Sequence, residues 1–158
     1  MHRYLALIAL LAPLALAGCA GPSGPTFAQV AATVPPVPPD RARLYFYRDY
    51  EPYESLSEPR IYLNGAAIGA SIPGGVFYRD VTPGSYLISV DTEGIYWNQF
   101  KTVDLRAGQT VYVDIESLRS WDTGLDYDAD TFVVVLVDPD VGLRQIAPLR
   151  LVAGDSGE

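Results

Sequence analysis

Histidine, lysine and cysteine are almost missing from this 158-residue chain: each occurs once, as His2, Lys101 and Cys19. One imidazole cannot furnish a histidine metal centre, and one thiol cannot furnish a thiolate cage. Lys101 stands in no motif, so an activated-lysine mechanism has nothing else to recommend it. Positive charge is short as well: 11 Lys and Arg stand against 19 Asp and Glu, a net charge of -8. Nucleic acid is therefore excluded as a partner, because binding it rests on cations that displace counterions from phosphates. The acid excess serves solubility and would favour basic partners or divalent cations. No long spanning segment is present either. Leu5 to Ala17 is apolar but is interrupted by Pro13 and falls short of the roughly 20 residues that cross a bilayer.

What is present begins with Arg3, that apolar run, and Leu16-Ala17-Gly18-Cys19 directly after it. A charged start, an apolar stretch and a small-residue cleavage site form an export signal, and the last four residues resemble the lipobox of bacterial lipoproteins. The resemblance implies cleavage between Gly18 and Cys19, with acyl chains on the sulfur and amine of Cys19. His2 would leave with residues 1–18, and triads built on histidine would leave with it. Two or more acyl chains anchor a protein stably, at about 0.8 kcal/mol per buried CH2. The alternative, a soluble secreted protein with one free thiol, carries a reactive liability in an oxidising compartment. Ala20 stands where Asp would resemble an inner-membrane retention signal, so the resemblance implies a lipid-anchored outer-membrane protein facing the periplasm or the cell surface.

Ala20 to Asp40 is rich in Gly, Pro, Ala and Ser and ends in Pro35-Pro36-Val37-Pro38-Pro39. Such composition predicts a disordered or extended polyproline tether. Residues 41–152 then form one domain of ordinary size, and 153–158 form a flexible tail.

Strand signals fill the domain. In Arg43 to Arg48, Leu44 and Phe46 point one way and the tyrosines the other. Arg60 to Leu63 meets Asn64-Gly65, a pair suited to a two-residue hairpin turn, and Ala66 to Ser71 is the return strand. Val76 to Val81 stops at Thr82-Pro83-Gly84. Tyr86, Ile88 and Val90 alternate with polar residues, Asn98 to Leu105 leads to Ala107-Gly108, and Val111, Val113 and Ile115 alternate with Tyr112, Asp114 and Glu116. That last strand reads as one face in, one face out. Phe132 to Val137 is continuously apolar and reads as a central strand, followed by a turn at Asp138-Pro139-Asp140 and a last strand at Gly142 to Ile146. Seven to nine short strands predict an all-β, Ig-like antiparallel sandwich, with a small closed barrel as the alternative.

Val81-Thr82-Pro83-Gly84-Ser85-Tyr86, Val103 to Gln109 and Val111-Tyr112-Val113 resemble the two-hairpin core of surface β-sandwiches of the PEGA kind. With Leu44 to Arg48, Ile61 to Gly65 and Ile68-Gly69, the whole of Arg41 to about Ile146 resembles the bacterial lipoprotein family known as domain of unknown function 2846. That resemblance implies a fold and an envelope address, and it carries no catalytic residue.

Three constellations bear on function. Asp122, Asp126, Asp128 and Asp130 place carboxylates at short spacing in a turn-prone stretch, as calcium prefers. An EF-hand loop does not match, because counting from Asp126 the glycine and glutamate positions hold Thr131 and Val137. A solvated acidic loop is the plainer reading, with a weak calcium site as its alternative. Tyr50, Tyr53 and Trp121, set among charged and turn residues, are the aromatics best placed to bind a glycan or a protein; β-sheet packing accounts for the others. Asp122 with Asp126, or Asp49 with Glu51, could form a glycoside-hydrolase pair, but no spacing singles them out. The leading expectation is a non-enzymatic, lipid-anchored binding module for another envelope protein. A glycan or peptidoglycan binder comes second and a carboxylate hydrolase third, with no cofactor beyond the lipid on Cys19.

Overall fold

A computed structural model describes residues 21–51, 55–92, 99–118 and 131–154. Among these, a short helix α1 (Phe27–Val30) and a 3-10 turn (Ala31–Thr33) precede β1 (Ala42–Arg48), β2 (Arg60–Leu63), β3 (Ala66–Ala70), β4 (Gly75–Val81) and β5 (Gly84–Val90). Then come β6 (Phe100–Leu105), β7 (Thr110–Ser117), β8 (Phe132–Val137), helix α2 (Pro139–Ile146) and β9 (Arg150–Leu151). The strands form two sheets, β8-β7-β1-β4-β9 and β3-β2-β5-β6. The first mixes antiparallel pairs with the parallel pairs β1/β7 and β4/β9.

The fold is an open all-β sandwich. Leu44, Phe46, Phe77, Val113, Ile115 and Val134 of the five-stranded sheet share one buried cluster with Ile61, Leu63, Ile88, Val90 and Leu105 of the other. Phe46 and Phe77 stack at 5.3 Å. Alternation along each strand supplies this core, since every second side chain faces the opposite sheet.

The Asn64-Gly65 turn forms as expected: φ is 51° at Asn64 and 81° at Gly65, the left-handed geometry of a two-residue hairpin loop. The other tight turns have a different task. Thr82-Pro83 carries the chain from β4 in one sheet to β5 in the other, and Ala107-Gly108 carries it from β6 back to β7. The two-hairpin core implied by the resemblance is therefore replaced by one antiparallel pair, β5/β6, flanked by two sheet changes.

Four further expectations need correction. Gly142 to Ile146 is helix, not strand. Pro139 stands in its first turn, where its fixed φ suits a helix and its missing N–H costs nothing; Asp140 follows at the positive end of the helix dipole. Phe132 to Val137 is not central, for β8 is the outer strand of the described sheet. Its apolar run answers to layers above and below rather than to strands on both sides: Phe132 and Val134 enter the inter-sheet core, while Val137 packs on the opposite face.

The third correction concerns β7, in which Tyr112 and Asp114 are buried along with Val113 and Ile115. The fourth explains the third. Residues 21–40 do not extend away from the domain but lie across the outer face of the five-stranded sheet. A capping box between Thr26 and Gln29 starts α1. Phe27 is buried edge-on against Tyr45 at 5.4 Å. The Phe27 and Ala28 amides donate to the carbonyls of Leu149 and Ala147 at 2.6 and 3.0 Å. At the far end of β1, Arg43 donates to the Pro35 carbonyl at 2.7 Å and forks onto Asp80 at 2.6 and 2.7 Å. Segment and α2 together roof a second apolar cluster of Phe27, Tyr45, Tyr47, Val76, Tyr112 and Ile146.

Candidate functional site

The sandwich has two unlike ends. One is closed by Asn64-Gly65, Thr82-Pro83 and Ala107-Gly108. The other gathers the residues that flank 52–54, 93–98 and 119–130. The Leu118 amide donates to the Thr131 carbonyl at 2.9 Å, and the Phe132 amide donates to Thr92 Oγ1 at 2.8 Å. Arg48 sits between these flanks, 1 % exposed. Its guanidinium donates to the carbonyls of Ser55 and Ser57 and lies 5.0 Å over the Phe132 ring. A buried cation that satisfies backbone carbonyls from a neighbouring segment fixes where that segment leaves the sheet. Sequence reasoning passed over Arg48, although its parity was the signal: it follows Leu44 and Phe46 on the inward face of β1.

A cleft of about 600 Å³ opens at this end, lined by Gly21, Pro22, Asp49, Tyr50, Glu51 and Arg150 among others. A second hollow of about 330 Å³ shares Gly21, Pro22 and Tyr50 with it and extends to Leu56 and Glu58. Tyr50 thus stands between the two, 54 % exposed, and Leu56 is 61 % exposed. Burial, and then Glu51, push the Asp49 carboxyl above its usual range. Desolvation and then Asp49 do the same to Glu116. The Tyr47 phenol is pushed far up, first by burial and then by Asp114, Asp49 and Glu116; it stays protonated and donates to Gln145 Oε1 at 2.7 Å.

A second surface lies on the four-stranded sheet, whose outward face no other element among the described residues roofs. Tyr62, Ser89 and Phe100 form one rung across β2, β5 and β6, with Leu87 opposite Thr102 on the next. Phe100 is 62 % exposed and Leu87 is 43 % exposed. Diagonal neighbours on adjacent strands lie about 7 Å apart, within reach of aromatic and long side chains, so Leu87 and Phe100 form one exposed apolar patch, with Tyr62 across Ser89 from it. Sequence analysis did not single it out, although Phe100 shares the parity of Thr102 and Asp104, which face solvent.

Of the aromatics singled out from sequence, Tyr50 lies at the cleft; Tyr53 and Trp121 lie outside the described residues. So do Cys19 and the acidic set Asp122, Asp126, Asp128 and Asp130. Asp49 and Glu51 both line the cleft. Among the described residues no three acidic, histidine or cysteine side chains group to hold a metal ion. None of the described helices is long and apolar enough to cross a membrane.

No curated protein matches this chain. A family profile does match, over residues 38–124, just over half of the chain. It starts within the proline run, spans β1 to β7 and stops before β8, α2 and β9, whereas the resemblance covers Arg41 to about Ile146. On that match the chain belongs to the family described as Protein of unknown function (DUF2846).

Proposed function

We propose that this chain is a membrane-anchored envelope lipoprotein, acylated at Cys19, that serves as a non-enzymatic binding module for another envelope protein. The observation that carries the binding reading is the outward face of the four-stranded sheet, which no element among the described residues covers and where Leu87 and Phe100 present apolar surface. Apolar patches rimmed by polar residues mark interaction sites. Here Ser85, Thr102 and Asp104 supply the rim. Aromatic residues are enriched in the cores of such interfaces, which suits Phe100 and Tyr62. The acyl anchor rests on the charged start, the apolar run and the lipobox-like Leu16 to Cys19. The non-enzymatic reading rests on the chemistry of the chain: once residues 1–18 are removed no imidazole is left, and acylation consumes the single thiol.

A photo-crosslinking amino acid at position 100 in living cells tests the partner. One reproducible protein adduct, lost when Leu87→Asp is added, is the expected result. Adducts to glycan alone, or none, would overturn it. Palmitate incorporation that disappears in Cys19→Ser tests the anchor; a mutant still labelled would refute it.

A further inference from the structure

Residues 21–40 settle how far from a lipid anchor the domain can stand. Gly21 and Pro22 line both hollows at the loop end, and a Cβ on Gly74 would lie 3.9 Å from Pro22. The next residues are held too: Thr26 bridges to Arg150, and Arg150 Nη1 donates to the Gly24 carbonyl at 2.6 Å. Cys19 is two residues before Gly21. Fully extended chain covers at most about 3.6 Å per residue, so an anchor on Cys19 would leave at most about 7 Å of chain before Gly21. A segment whose composition reads as a spacer is instead spent along the sheet, and almost no free chain separates the anchor from the domain.

We infer that the loop end of the sandwich docks on the bilayer itself, with Tyr50 and Leu56 at the level of the lipid headgroups. The inference rests on the acyl anchor proposed above. The surface has the chemistry for this place. Tyrosine has an apolar ring and a polar tip and is enriched at membrane interfaces, and Leu56 supplies apolar surface beside it. Arg150 lies on the same cleft as Asp49 and Glu51, with Glu58 in the adjoining hollow. A guanidinium and carboxylates lining one cleft match a zwitterionic headgroup, phosphate toward the cation and ammonium toward the acids. The same carboxylates disfavour a strongly anionic surface. In this pose β1 runs away from the membrane, Leu87 faces sideways from the four-stranded sheet, and Phe100 stands on the same face nearer the docked end.

Once Cys19 is acylated, a new cysteine is the only free thiol, which makes a depth measurement direct. The full-length lipoprotein is purified from cells as Leu56→Cys and, separately, Ala107→Cys. Both positions are exposed and lie at opposite ends of the sandwich, and the seven residues of β1 place those ends about 20 Å apart. Each variant is labelled with a fluorophore and reconstituted into phosphatidylcholine vesicles that carry a headgroup spin-label quencher. The label at position 56 is expected to lose most of its fluorescence while the label at 107 keeps its own. Equal fluorescence from the two positions, in protein that carries palmitate and floats with the vesicles, would overturn the inference and leave the anchor standing. Protein that neither carries palmitate nor floats would remove the anchor and the inference together.

Discussion

The two sheets of this sandwich treat their outward faces differently. The five-stranded sheet is roofed by residues 21–40 and α2, so that all seven residues of β1 are buried. The four-stranded sheet presents Leu87 and Phe100 to water on its outward side. The contrast separates stability from recognition. A side chain under the roof is part of a folding unit, whereas one on the bare face can be changed without disturbing the fold and is therefore free to serve a partner.

The largest effect that would break this contrast lies under the roof. Phe27→Ala removes the ring that fills the space between α1 and Tyr45 and should cost about 3 kcal/mol, read as a lower urea midpoint of the purified protein. An unchanged midpoint would mean that residues 21–40 add nothing to the folded domain. Gly142→Ala comes next. An added Cβ would lie 2.4 Å from Tyr112 Cγ, so α2 must shift, and overpacking of this kind costs about 2 kcal/mol. A crystal structure of the variant with α2 in place would contradict that close approach.

On the bare face the expected change in stability is far smaller. Phe100→Ser should stay within about 0.5 kcal/mol of the parent while weakening capture of the partner by the immobilised lipoprotein. A large loss of stability there would show that the face is structural after all.

The smallest effect sharpens the picture at the loop end. Asp49 and Glu116 have carboxyls raised above their ordinary values. The folded state therefore holds protons that the unfolded chain has released, and stability falls as pH rises from the ordinary carboxylate range through the raised values. Asp49→Asn should raise the urea midpoint at neutral pH and leave it unchanged in acid below that range. A gain of the same size at both pH values would mean that ionisation is not its cause.

Local rules made much of this architecture legible. Alternation in β1, β5 and β7 marked the inward residues, and Asn64-Gly65 marked its own turn, because strand parity and left-handed φ are properties of a few neighbouring residues. The site was less legible. Tyr50 stood out by its charged and turn-forming neighbours, but Arg48, Leu56 and Phe100 did not. Their significance depends on which segments the fold brings to one end and which sheet it leaves uncovered. The proline run shows the same limit, since its composition reads as extended spacer and nothing local reveals the surface it lies against.

The sequence by itself determined that the domain is built of short β-strands, that it is acidic and poor in histidine, lysine and cysteine, and where its Asn64-Gly65 hairpin falls. Each of these follows from composition or short-range pattern. Only the tertiary structure decided that the strands form an open sandwich and not a closed barrel, that residues 21–40 are a roof, that Gly142 to Ile146 is a helix, and that β8 is outermost among the described strands of its sheet. Those outcomes turn on apolar surface buried between segments far apart in the chain: Phe27 against Tyr45, Gly142 against Tyr112, and Val137 against the roofed cluster. Burial energy scales with the area two surfaces hide from water, and no window of sequence contains both surfaces.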